Sequence, residues 1–188
     1  GNYLYATNSI FDPGSTGAWT LECFVYPLGN IYFYAVGSGG PYGNNMVCSW
    51  NTNAFGFGQA NGSSNPVSVT STAVYPANQW YHYAVSKDSS NVIRLFINGV
   101  QVGTQTYSSG LSGGTTAVIN GLYDNNGLGG SGGTFYLSQL RWMKGTALYT
   151  TTPFTPPTAP LTAITGTSLL TLQNNRFKDN SSNAFSFT

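Results

Sequence analysis

From Trp80 to Thr106 the sequence WYHYAVSKDSSNVIRLFINGVQVGTQT alternates, breaks and alternates again. Tyr81, Tyr83 and Val85 fall on one side of a period of two, with Trp80, His82 and Ala84 on the other. That period belongs to a strand, whose successive side chains point to opposite faces. Lys87-Asp88-Ser89-Ser90-Asn91 turns the chain, and Ile93, Leu95 and Ile97 then alternate with Arg94 and Phe96. Asn98-Gly99 follows. This is the strongest short hairpin signal, because a type I′ turn needs positive φ at both central residues. Val100 to Thr106 returns, completing a three-stranded antiparallel meander.

The rest of the chain agrees. Helical periodicity is nearly absent, and Gly, Pro and Asn interrupt the sequence roughly every 8–12 residues, the spacing of a sandwich or barrel. Strand-like runs rich in Val, Ile, Thr and aromatics lie at 2–5, 18–26, 31–36, 46–50, 54–59, 67–74, 79–86, 92–98, 100–106, 116–120, 134–142, 168–172 and 184–188. The length of 188 residues suits one domain, 1–188, with no boundary that leaves two viable cores. Two loops are unusually rich in glycine, Gly37–Asn45 and Asp124–Gly133. Such loops either approach something closely or flex. Thr151–Gly166 reads as an extended, polyproline-like crossing over the surface.

Charge narrows the function. Only 6% of residues are Asp, Glu, Lys or Arg, against about 25% in an ordinary domain. The surface is therefore wetted by Gly, Ser, Thr and 19 Asn. Six Lys and Arg in total cannot build the basic patch that nucleic acid or an anionic membrane surface requires. No apolar stretch is long enough to span a bilayer, and no signal peptide is evident. The chain starts at Gly1 without a methionine, which fits a processed chain or a piece of a longer polypeptide. A net charge of +1 gives little protection against association. That suits a component of an assembly, and equally a neutral extracellular β domain. Cys23 and Cys48 permit one disulfide without requiring it.

Several stretches resemble known proteins. WTLECFVYP (Trp19–Pro27) is similar to the second strand of laminin-G-like, concanavalin A-like jelly rolls, and the meander opening at Gln79 to the central meander of that superfamily. Phe135–Leu161, Ser168–Thr188 and Gly1–Trp19 resemble a narrower variant found in virion and tail proteins of bacteriophages. The resemblance implies an all-β, two-sheet antiparallel jelly-roll sandwich. It also implies one unit of a larger or repeated protein, with first and last strands close together.

The residues argue against catalysis. Glycoside hydrolysis needs two carboxylates flanking the scissile bond, and none of Asp12, Glu22, Asp88, Asp124 and Asp179 stands two or four residues from another. His82, the single histidine, has Asp88 as its nearest acidic residue in sequence and no nucleophile elbow to serve. It is expected to be a strand residue on an aromatic face whose polar tip finds one hydrogen bond. One histidine and two distant cysteines are thin for zinc. Asp12, Asp124-Asn125-Asn126 and Asp179-Asn180 offer oxygens to calcium, as relatives do at the sandwich rim, but with one carboxylate per cluster; the other reading is Asx turns. Under the resemblance, Ala18 and Ser138-Gln139 stand where relatives often carry acidic residues. No cofactor is therefore expected. Binding needs no catalysis: Tyr42, Trp50 and Tyr123 can stack on sugar faces, and Asp124, Asn125 and Asn126 can orient hydroxyls. The expected role is a non-enzymatic virion or tail-appendage domain that binds a host-surface glycan. Alternatives are a structural module making copy-to-copy contacts and a carbohydrate-binding module of a secreted microbial protein.

Overall fold

The computed structural model describes residues 3–14, 16–37, 45–61, 64–109, 111, 114–124, 127–129, 132–174 and 176–188. The strands are β1 (Leu4–Thr7), β2 (Trp19–Pro27), β3 (Ile31–Gly37), β4 (Asn45–Asn51), β5 (Ala54–Asn61), β6 (Ser64–Thr70), β7 (Tyr81–Lys87), β8 (Val92–Ile97), β9 (Val100–Thr106), β10 (Thr116–Ile119), β11 (Leu122–Asp124), β12 (Gly127–Gly129), β13 (Phe135–Lys144) and β14 (Thr167–Thr171). One short 3-10 turn, Ser9–Phe11, is capped by the Asn8 side chain, which accepts from the Ile10 amide.

All pairings are antiparallel. The first sheet runs β1-β10-β3-β4-β5-β6 and the second β14-β13-β2-β7-β8-β9, while β11 and β12 form a separate hairpin. The two sheets pack face to face, the jelly-roll sandwich expected from the sequence. Between them lie Trp19, Leu21, Cys23 and Val25 of β2, Tyr81, Tyr83 and Val85 of β7, and Phe55 and Phe57 of β5, all buried. Rings meet across the gap, Phe33 on Tyr83 with centroids 5.0 Å apart and Trp19 on Phe57 at 5.4 Å. Cys23 and Cys48 are free, buried thiols in this core; burial pushes the Cys48 thiol up to about 12.

The meander forms as read. Asn98 and Gly99 have φ of 50° and 80°, the positive values of the type I′ turn. Asp88 turns the preceding loop, its Oδ1 accepting from the amides of Ser90 and Val92 and its Oδ2 from Arg94. Three expectations shift. The run at 67–74 ends at Thr70 and starts earlier, at Ser64. The glycine-rich stretch after Asp124 contains β12, because glycine backbone can lie close against a partner strand. Residues 184–188 form no strand, although Thr188 exchanges two backbone hydrogen bonds with Tyr5 of β1, 3.0 and 3.1 Å. The chain ends therefore sit side by side.

Two local devices shape the outer face of the second sheet. In β13 the register slips between Ser138 and Arg141, where Gln139 and Leu140 oppose the single residue Cys23 on β2, and Gln139 sits there at φ 56°. Such a bulge adds one residue to one strand. Before it Phe135 and Leu137 point into the core; after it Leu140 and Trp142 do. Arg141 is thereby placed on the same outer face as Tyr136 and Ser138. The second device is the crossing segment between β13 and β14. It runs over this outer face, as expected. Its contacts include a hydrogen bond from the Leu148 amide to Thr20 Oγ1, one from the Phe154 amide to the Gly99 carbonyl, and one from the Leu161 amide to Gln139 Oε1.

Candidate functional site

Beneath the crossing segment lies a buried polar cluster. Glu22 is 0% exposed, and its Oε1 accepts from Nε of Arg141 at 2.8 Å and from Nη2 at 2.5 Å. Its Oε2 accepts from the Tyr149 hydroxyl at 2.8 Å and from His82 Nε2 at 3.1 Å. Arg141 Nη1 donates to the Thr162 carbonyl. Burial works against the Glu22 carboxylate, but the hydrogen bond from His82, the Arg141 charge and the Tyr149 hydroxyl outweigh it and hold the pKa below the ordinary value. Burial and the facing carboxylate push the Tyr149 phenol up.

His82 thus has a carboxylate within reach. Sequence separation hid it: Glu22 is 60 residues away, on the neighbouring strand. The expected setting holds, since the imidazole packs on Phe24, Tyr149 and Phe154 with centroids 5.1–6.2 Å apart, and its one hydrogen bond goes to Glu22. Both groups are almost wholly buried, His82 at 2%, and the carboxylate already faces a buried guanidinium. The arrangement pins the crossing segment to the sheet and leaves no access for a ligand.

The open site is elsewhere. β5 reads Ala-Phe-Gly-Phe-Gly, so a period of two sends Phe55 and Phe57 inward and leaves Gly56 and Gly58 on the outer face of the first sheet. The bare backbone forms the floor of a groove of about 400 Å³, within the usual range for ligand pockets. Its sides are Tyr32 on β3, Ser49 and Asn51 on β4, Ser68 and Thr70 on β6, and Leu122 on β11. Among the described residues no Asp, Glu, Lys or Arg lines it. A side chain at Gly56 would intrude, its Cβ meeting Ser49 Oγ at 3.0 Å.

The residues expected to bind sugar fall unevenly on this frame. Trp50 is 4% exposed, with its indole donating to the Tyr75 carbonyl. It sits on the inward-facing phase of β4, so its ring has no face open to a ligand. Tyr123 and Asp124 belong to β11, which begins with the groove residue Leu122. Tyr42, Asn125 and Asn126 lie outside the described residues. Tyr32, Ser49 and Ser68 were missed by sequence reasoning; the Phe-Gly-Phe-Gly alternation was the signal that could have found them.

Of the calcium donors read from the sequence, Asp12 and Asp179 are engaged within the protein, and the side chains of Asp124, Asn125 and Asn126 lie outside the described residues. Asp12 Oδ1 accepts from the Gly14 amide, an Asx turn. Asp179 is 2% exposed and accepts from the amides of Leu170, Ser181 and Phe185 and from the Ser181 hydroxyl. Among the described residues no three His, Cys, Asp or Glu side chains gather as a metal would need. Asp179, with both carboxylate oxygens taken, does not fit a calcium site.

The sandwich topology, with an open uncharged groove on one sheet, is that of a concanavalin A-like β-sandwich. Residues 1–148 match the Laminin_G_3 family, described as the concanavalin A-like lectin/glucanases superfamily, and the chain belongs to that family. Solved structures share the fold. A protein from Bacteroides ovatus described as carbohydrate-binding superposes with a TM-score of 0.61 at 12% identity, covering 100% of this chain and 56% of that one. Domains LG4-5 of the mouse laminin α1 chain give 0.57 at 14% identity, covering 77% and 40%. A heptameric pentraxin from Limulus polyphemus gives 0.51 at 18% identity, covering 78% and 71%. The chain therefore spans about half or less of the first two. No curated protein sequence matches it.

Proposed function

We propose that the protein is a non-enzymatic carbohydrate-binding domain that takes a neutral glycan in the groove over Gly56 and Gly58. The groove's own composition carries the reading. Its floor is open backbone, and its sides offer neutral hydroxyl and amide groups with one aromatic ring, Tyr32. Sugars present the same mixture of hydroxyls and apolar C–H faces. The Bacteroides ovatus neighbour adds support through its description. The test is calorimetry against a panel of neutral and acidic oligosaccharides, with Gly56→Leu as the filled-groove variant. Saturable binding that Gly56→Leu weakens, with an unchanged circular dichroism spectrum, is expected. A broad glycan screen of a multimeric display that returns no ligand refutes it.

The setting we propose is an extracellular or virion appendage, the domain being one unit of a larger or repeated protein. The paired chain ends at Tyr5 and Thr188 suit insertion in a longer chain, and repetition would let weak sites act together. The resemblance of Phe135–Leu161 and Ser168–Thr188 to phage tail segments supports the virion. Locating the domain by electron microscopy on its native assembly checks this. A copy-to-copy module joined through strand edges has less support, since protein groups meet each outer edge. Thr188 meets β1, Asn180 meets β14, Thr152 meets β9, and the Gln105 amide bridges Ser68 N and Pro66 O on β6.

A further inference from the structure

The outer face of the second sheet carries side chains in rows that cross β13, β2 and β7. One row, Arg141 and Glu22, lies under the crossing segment. The next is Ser138–Phe24–His82, from the pairing of Ser138 with Phe24 and of Phe24 with His82. Beyond it Tyr136 pairs with Tyr26, and Trp80, just before β7, packs against the other side of Tyr26. Ring centroids are 5.6 Å apart for Tyr26–Trp80 and 5.7 Å for Tyr26–Tyr136, both edge to face. The crossing segment does not reach this row. Trp80 is 49% exposed and Tyr136 60%.

We propose that Tyr136–Tyr26–Trp80 is a second carbohydrate-contact face, a stacking platform for the apolar faces of a neutral pyranose chain. It extends the carbohydrate reading to the opposite sheet, and its test does not depend on the groove. Three observations carry it. The rings are held by one another and by strand register, so little order is lost on binding. A ring face is negative and attracts the C–H groups of a flat sugar face, while the Tyr26 and Tyr136 hydroxyls and the Trp80 N–H make no hydrogen bond to a described residue and stay available to sugar hydroxyls. The row also matches its ligand in charge: its register neighbours are Phe24, Ser138, Pro27 and Phe135, and the carboxylate and guanidinium two rows away on the same face, Glu22 and Arg141, are paired and buried. A protein partner would favour an anchoring pocket, whereas the row is a line of rings across three strands.

Trp80 supplies the assay. The other three tryptophans, Trp19, Trp50 and Trp142, are 0–4% exposed, so acrylamide quenching reads Trp80. The probes are cellohexaose, xylohexaose, laminarihexaose and maltohexaose. At least one should protect Trp80 from quenching saturably. By calorimetry Trp80→Ala and Tyr136→Ala should each weaken that binding about tenfold, Trp80→Phe should restore most of it, and Gly56→Leu should leave the quenching signal unchanged. No protection by any probe at about 10 mM overturns the proposal. So does protection that tracks protein concentration alone, which would make the row a contact between copies. Failure of the groove reading would appear instead as unchanged calorimetric binding when Gly56→Leu is added to Trp80→Ala.

Discussion

Replacing Glu22 with Gln tests the buried cluster most directly. The carboxylate is 0% exposed and accepts four hydrogen bonds, two from Arg141 and one each from Tyr149 and His82. Glutamine keeps the shape, removes the charge, and turns one acceptor end into a donor facing donors. Arg141, 5% exposed, is then a buried cation without its counter-charge. Removing one partner of such a pair costs about 3–5 kcal/mol. With a urea m-value of about 2 kcal/mol/M, the denaturation midpoint falls by about 1.5–2.5 M. The double variant Glu22→Leu/Arg141→Leu should recover most of the loss, because apolar replacement removes both desolvation costs. The pH dependence has a fixed sign. The folded carboxyl lies below its ordinary value of 4.5, so its contribution is fully present above that value. It is lost as pH falls through the lower, folded one. Wild-type stability should therefore drop in acid more steeply than that of Glu22→Gln. A midpoint fall below about 0.5 M, or identical acid profiles, refutes the reasoning.

Other outcomes depend on single positions. Gly99 and Gly145 both have positive φ, 80° and 87°, but a Cβ at Gly99 would collide with the Phe154 carbonyl while one at Gly145 meets nothing within 4 Å. In thermal melts Gly145→Ala should cost about 1 kcal/mol of backbone strain and Gly99→Ala clearly more. Asp179→Ala strips partners from three buried or half-buried amides; at about 1–3 kcal/mol for each group left unsatisfied, a destabilisation above about 2 kcal/mol is expected in urea titration. Gln105→Ala should raise hydrogen exchange at the Ser68 amide, its partner at 3.0 Å, with a loss of about 1 kcal/mol in global stability.

Local chemistry was readable and long-range geometry was not. Asn98-Gly99 announces its turn because positive φ is a property of those two residues. The meander strands announce themselves because their alternation is unbroken. Glu22 looked solitary because no acidic residue shares its strand; its partners come from 60, 119 and 127 residues away, and only the sheet order brings them together. Trp50 carries no mark separating a core ring from an exposed one; its phase along β4 decides. The groove was half visible, since Phe-Gly-Phe-Gly shows which face loses its side chains, but nothing local says that Tyr32 and Ser68 stand at its sides.

The bulge at Gln139 acts as a phase switch. A strand has only two phases, and one inserted residue exchanges them for everything on one side. Drawing Gln139 into the regular ladder would not simply straighten the strand. It would leave the two halves of β13 out of step, so that keeping Leu140 and Trp142 inward would turn Phe135 and Leu137 to solvent and Tyr136 and Ser138 into the core. The exposed aromatic row and the buried arginine are thus set by the same extra residue, and neither can be moved to the other face alone.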